Sequence, residues 1–200
     1  MPRKYVFLLA ISLAVVLVDQ WTKYVVLREL TTALDTTSTP VKQFFSDAPE
    51  MGPDGYHYRT KRTVTVSDSF FNFRYAENPG AAFGLFHNLP ENLRGPLFHL
   101  VSIGAVLLIS YYFRQLTGAR NERFARLGLP LVLGGAIGNY IDRLARGFVI
   151  DFLDAHWHAA YTWPAFNIAD SAICIGVGLL VVDSFVRKNE NKAGIKPVEA

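Results

Sequence analysis

The stretch YVFLLAISLAVVLVDQWTKYVVL, Tyr5 to Leu27, decides the fold. Tyr5 to Val18 carries no charge, and after Asp19 and Lys23 the apolar character resumes at Tyr24. At a rise of about 1.5 Å per residue, roughly 20 residues cross the hydrocarbon core of a bilayer, so this run is long enough to span it. Arg3 and Lys4 before an apolar run also imitate a secretory signal, but no small-x-small cleavage site follows, which favours a retained helix. Three further runs stand out: Pro96 to Phe113, Leu127 to Ile141 and Ile168 to Val186. The Leu127 run reaches spanning length only with its flanks, Phe124 to Arg143. Half of the 200 residues are hydrophobic. The expectation is a mostly α membrane protein, one integral membrane domain over 1–200, with four transmembrane helices at about 5–27, 96–114, 124–143 and 168–187.

Charge sets the expected orientation. Arg3 and Lys4 precede the first helix, Arg114, Arg120, Arg123 and Arg126 crowd the second connection, and Arg187, Lys188, Lys192 and Lys196 follow the fourth helix. These ten basic residues face three acids, Glu122, Glu190 and Glu199, whereas residues 28–94 hold seven basic and eight acidic ones. The excess of Lys and Arg on short flanks puts both termini and the 114–126 connection in the cytoplasm. Residues 189–200 read as a disordered cytoplasmic tail. A net charge of +3 gives no reason to expect a nucleic-acid partner. The single cysteine, Cys174, lies in the last apolar run, so no intrachain disulfide is possible.

Residues 28–94 form the largest extramembrane piece, expected on the extracytoplasmic side. Pro40, Pro49, Gly52, Pro53 and Gly55 break any regular element between Thr31 and Thr60. Thr63 to Val66 and Phe70 to Tyr75 read as a β-hairpin turned at Ser67-Asp68-Ser69. Such a hairpin is marginal alone and needs support from helices or the bilayer. Ala81 to Phe86 is apolar enough to dip into the outer leaflet. Residues 146–166 read as a second outer loop, its Trp157, Tyr161 and Trp163 suited to the headgroup region.

In this topology the polar residues of the apolar runs gather at one membrane face: Asp19 and Lys23, then Asn139, Asp142 and Arg143, then Asp151, then Asp170. Intramembrane carboxylates are costly and point to function. Asn139, Asp142 and Arg143 are spaced i, i+3, i+4 and share a helix face, as do Asn167, Asp170 and Ser171. Helix packing accounts for Gly134 and Gly138, and an N-terminal acid such as Asp170 is also favourable to the helix dipole. Asp151 and Asp170 together allow more. Two carboxylates close together share one proton, so one can take a proton from water while the other polarises a carbonyl. His156, His158 and Asp154 look superficially like metal ligands, but no further His or Cys lies near, and no metal is expected. Asn78-Pro79-Gly80 and its sequel lack the Lys and Ser/Thr of a phosphate loop.

With these residues in place, the chain resembles the bacterial lipoprotein signal peptidases, the signal peptidase II family of membrane aspartic peptidases. The matching phrases are Asp19-Gln20-Trp21-Thr22-Lys23, Asn78-Pro79-Gly80-Ala81-Ala82-Phe83-Gly84, Gly134 to Arg143, Val149-Ile150-Asp151-Phe152 and Phe166-Asn167-Ile168-Ala169-Asp170. The resemblance implies that Asp151 and Asp170 are the catalytic dyad. It implies a substrate-binding and supporting polar shell that orients substrate and dyad, made of Asp19, Asn78, Asn139, Asp142, Arg143 and Asn167, with Lys23 and Gly80 from the same phrases. The implied reaction releases the signal peptide of a prolipoprotein by hydrolysing the bond before a diacylglyceryl-modified cysteine, at the outer face of the bacterial cytoplasmic (inner) membrane. It further implies no cofactor, sensitivity to globomycin-type peptides, membrane lipids as surroundings and a monomer. The segment between the first phrase and Asn78 is unusually long for the family, the excess lying within Thr31 to Thr60. A proton-coupled transporter would scatter its ionisable residues across membrane depth, often with repeats. Only Asp183 hints at that. In a membrane adaptor the two aspartates would be incidental.

Overall fold

The computed structural model describes residues 3–46, 48–53, 55–80, 90–117, 122–158 and 160–192. The apolar stretch 81–86 lies outside these residues. In hydrocarbon the backbone has no water to bond with, so long apolar runs become helix. The long helices are α1 (Arg3–Leu30), α3 (Glu91–Gln115), α4 (Arg123–Arg146) and α5 (Ile168–Lys192), with one short turn, α2 (Pro40–Phe44), between the first two. All four long helices contain a segment long and apolar enough to cross a membrane. They extend past their apolar runs because Arg, Lys and Glu propagate helix well beyond the hydrocarbon. Thus 189–192 continue α5, and 193–200 lie outside the described residues.

The chain divides into two compact units, and α1, α3 and α4 each contribute a stretch to both. The first comprises Met1–Val18, Leu100–Gly138 and Ile168–Ala200. Its core is Leu8, Ile109, Phe113, Leu116, Ala125, Leu129 and Leu133, with Tyr5, Val132 and Leu180 packed against it. Glycines on two sides of α4 let neighbouring backbones come close. A Cβ on Gly134 would stand 2.7 Å from Val15 Cβ on α1, and one on Gly128 would stand 2.7 Å from the Gly176 oxygen on α5. Gly135 faces the Ala169 carbonyl more tightly still. The helix ends are tied by side chains. Lys4 Nζ donates to the oxygens of Arg114 (3.1 Å) and Leu116 (2.8 Å), satisfying carbonyls at the end of α3. Asp183 Oδ1 accepts from Ala125 N at 3.0 Å, and Asp183 Oδ2 meets Arg187 Nε at 2.6 Å. Asp183 therefore caps α4, which removes the one hint of an ion path.

The second unit comprises Asp19–His99 and Asn139–Asn167. Its centre is one antiparallel sheet in the order β1-β2-β3-β4, with β1 Val64–Ser67, β2 Phe71–Asn78, β3 Val149–Trp157 and β4 Tyr161–Thr162. The expected hairpin is thus two of four strands, and what read as an outer loop at 146–166 supplies the other two. β3 pairs Asp151 with Ala76, Ile150 with Glu77 and Val149 with Asn78. The chain then returns along β3, with Trp163 N bonded to the Ala155 oxygen (2.8 Å) and Phe166 N to the Leu153 oxygen (3.1 Å). That return delivers Asn167 beside β3. The Thr31–Thr60 segment is also more regular than its prolines and glycines suggest. Pro40 opens the single turn of α2, where its fixed φ and missing N–H suit the start of a helix. The segment is closed at its base by Thr32 N to the Arg59 oxygen (2.9 Å) and Lys61 N to the Leu30 oxygen (2.8 Å).

Candidate active site

The site starts from one lysine. Lys23 lies one helical turn beyond Asp19, so the two share a face of α1, and Nζ meets Asp19 Oδ2 at 2.8 Å. The same Nζ reaches Asp142 Oδ2 at 2.9 Å and Asn139 Oδ1 at 3.1 Å, both on α4. Three acceptors match the three hydrogens of an ammonium group. The side chains of Lys23, Asp19 and Asp142 are all 0% exposed. Buried charges of this kind persist only when paired and hydrogen-bonded throughout. Arg146 completes the balance at 3.5 Å from Asp142 Oδ1, giving two carboxylates and two cations. Gln20 Nε2 bridges Asp19 Oδ2 and Asp142 Oδ1, each at 3.1 Å.

This charged knot fixes the strand that carries Asp151. Asp142 Oδ2 accepts the Ile150 N–H at 3.1 Å. Asn167 Nδ2 lies 3.2 Å from the Ile150 oxygen, 3.0 Å from Asn139 Oδ1 and 2.8 Å from Asp151 Oδ1. Both backbone polar groups of the residue before Asp151 are therefore held by side chains. Asp151 itself is 2% exposed. Its second oxygen accepts from Asn78 Nδ2 at 2.9 Å. Asn78 is fixed in turn, because its Oδ1 accepts from Gly80 N at 3.0 Å. Arg143 Nη2 donates to the Gly80 oxygen at 3.0 Å, and its guanidinium lies 4.6 Å from the Phe98 ring centre. Both Asp151 oxygens thus accept from amide N–H groups, an arrangement suited to a carboxylate.

Asp19, Lys23, Asn78, Gly80, Asn139, Asp142, Arg143, Asp151 and Asn167, all singled out in the sequence, belong to this one hydrogen-bonded network. Asp170 stands in the first turn of α5, half-buried and three residues after Asn167. Sequence reasoning missed Gln20 and Arg146. The signal for Arg146 was present, since it follows Asp142 by one helical turn on the face already read. His156 belongs to β3, with a ring nitrogen 3.4 Å from the Asp68 oxygen, whereas His158 lies past the strand end with φ 51°.

A family model described as signal peptidase (SPase) II matches residues 11–186. The lipoprotein signal peptidase of Anaeromyxobacter sp. (strain Fw109-5) is 39% identical over 201 residues, spanning 96% of this chain and 90% of its own. That of Geobacter sulfurreducens is 45% identical over 132 residues, 66% of this chain and 79% of its own. A bacterial membrane enzyme solved by the in meso method at 2.3 Å resolution superposes with a TM-score of 0.65 at 28% identity, covering 92% of this chain and 90% of that one.

Proposed function

The chain belongs to the signal peptidase II family and is a multi-pass membrane peptidase, and from that premise we propose that it removes the signal peptide of prolipoproteins with Asp151 and Asp170 as its catalytic pair. The bond cut is the one before the diacylglyceryl-modified cysteine. The observation that carries this reading is the double amide clamp on Asp151, from Asn78 and from Asn167, the latter leading within three residues to Asp170. A carboxylate held at both oxygens is oriented without being neutralised. It can take the proton of an attacking water, while its partner, holding the proton the pair shares, polarises the scissile carbonyl. The proton then passes to the leaving amine. Asp19, Lys23, Asn139, Asp142, Arg143, Asn167, Asn78 and Gly80 hold the first carboxylate in place and touch no reacting bond in this scheme.

A lipid-bearing cysteine at the end of a signal helix stays at the membrane surface. The concentration of Lys and Arg on the short flanks favours both termini in the cytoplasm of a bacterial inner-membrane protein, so the site would face outward. The protein works as a monomer among membrane lipids. The test is cleavage of a diacylglyceryl-modified precursor by the purified protein in bicelles, with the products identified by mass spectrometry. The expected product is a free signal peptide ending just before the modified cysteine, with the unmodified precursor left intact. Cleavage elsewhere, or equal cleavage of the unmodified precursor, would overturn the substrate assignment.

A further inference from the structure

The long segment after Thr31 touches two side chains, Glu77 on β2 and Arg146 at the end of α4, and both lead to one residue pair. Glu77 and Ile150 face each other across β2 and β3, next to Asn78 and Asp151. From the β2 side, Glu77 Oε1 accepts from His57 N (2.8 Å), Tyr58 N (3.3 Å) and the Tyr75 hydroxyl (2.7 Å), and Oε2 meets His57 Nδ1 at 2.6 Å. His57 also stacks on Phe148 with ring centres 4.8 Å apart. From the β3 side, the Ile150 N–H is held by Asp142, and Asp142 by Arg146. Arg146 is buried, and its Nε and Nη2 have no hydrogen-bond partner among the described residues. What covers that guanidinium is the ring of Phe44, 4.3 Å from it, on the single turn of α2.

Alternation along a strand sends neighbouring side chains to opposite faces. Glu77 and Ile150 point away from the face on which Asn78 meets Asp151. His57 and Tyr58, which hold Glu77, therefore back the site from behind the sheet. Phe44 is itself only 2% exposed and meets the Tyr24 ring edge-on at 5.5 Å, so it is built into the fold rather than offered to a ligand.

We propose that residues 40–58 are a buttress for the site, with Phe44 and Glu77 as positioning residues that hold the Ile150–Glu77 pair and so fix the Asn78–Asp151 contact. The inference rests on Asp151 being catalytic. Phe44 acts through Arg146 and Asp142, because a desolvated guanidinium bound by a ring face keeps its place as long as the ring is there. Without the ring, Arg146 gains water and loosens its hold on Asp142. The segment's role is then in turnover rather than in reading the substrate.

The test uses the full-length protein in bicelles with a diacylglyceryl-modified precursor, comparing Phe44→Leu, Phe44→Tyr and Glu77→Gln. Phe44→Leu and Glu77→Gln should each lower kcat about tenfold with KM within about twofold, and Phe44→Tyr, which keeps the ring, should restore kcat. Should Phe44→Leu not fold, Phe44→Met makes the same comparison, and Glu77→Gln reads the second contact independently. Unchanged kcat in the folded variants overturns the buttress. A rise in KM alone also overturns it, since the segment would then be contacting substrate. Wild type must cleave and Asp151→Asn must not. An inactive wild type sinks the peptidase reading and cleavage by Asp151→Asn sinks its catalytic role, whereas intact controls with unaffected variants sink only the buttress.

Discussion

Replacing Asn167 by alanine removes the group that ties Asp151 to the helix end bearing Asp170. Its Nδ2 lies near three acceptors, at 2.8 Å from Asp151 Oδ1, 3.0 Å from Asn139 Oδ1 and 3.2 Å from the Ile150 oxygen. An amide has two hydrogens for these three, and the shortest contact goes to the one charged acceptor. A hydrogen bond to a charged group contributes about 1.5–3 kcal/mol net. If that is lost where Asp151 must be oriented to take a proton, kcat falls by roughly 10- to 150-fold. KM should change little, since no contact to the peptide is removed. Asn167→Asp keeps the shape but sets a second carboxylate against Asp151, so its loss should exceed about 100-fold. The assay is initial-rate cleavage of a diacylglyceryl-modified precursor across substrate concentrations, with thermal unfolding in detergent as the check on folding. An Asn167→Ala enzyme that folds and retains kcat within about twofold would show that Asp151 does not depend on this clamp.

Lys23→Met leaves Asp19 and Asp142 buried with one cation fewer. Breaking a buried pair this way costs about 3–5 kcal/mol, so the variant should unfold at markedly lower temperature in detergent, and an unchanged midpoint would contradict the pairing. Gly135→Val places a side chain against the Ala169 carbonyl at the close approach of α4 and α5. Overpacking of about 1–3 kcal/mol should reduce yield and thermal stability, and wild-type values for both would show the helices can part freely. Burial first, then the nearby Glu77 charge, push the Tyr75 phenol well above its ordinary range. Its contribution to stability is full below about pH 10, where the unfolded phenol titrates, and is lost as the pH rises from there toward the folded value. Tyr75→Phe should therefore flatten the alkaline fall in stability, and identical pH profiles would exclude Tyr75 as its source.

The helices were legible because membrane spans announce themselves by length and apolarity. The Lys23 knot was half-legible: Asp19 and Lys23, and Asn139 and Asp142, show their shared faces by spacing, but nothing in one sequence says that α1 and α4 meet there. β3 was not legible. Its first four residues are buried, so the alternation that marks a half-exposed strand is absent, and Asp151, Asp154 and the terminal aromatics imitate a loop. Once β3 is a strand, the roles of Glu77 and Ile150 follow from their register. Arg146 could have been found from its spacing to Asp142. Phe44 could not, since a ring in a stretch rich in Pro, Thr and Ser carries no sign of the guanidinium it covers.

The most direct measurement is turnover of a diacylglyceryl-modified precursor by purified Asp151→Asn and Asp170→Asn, each confirmed folded in the membrane mimetic. Each substitution alone should abolish release of the signal peptide, because neither carboxylate can act as both acid and base. Near-wild-type turnover by either variant would contradict it.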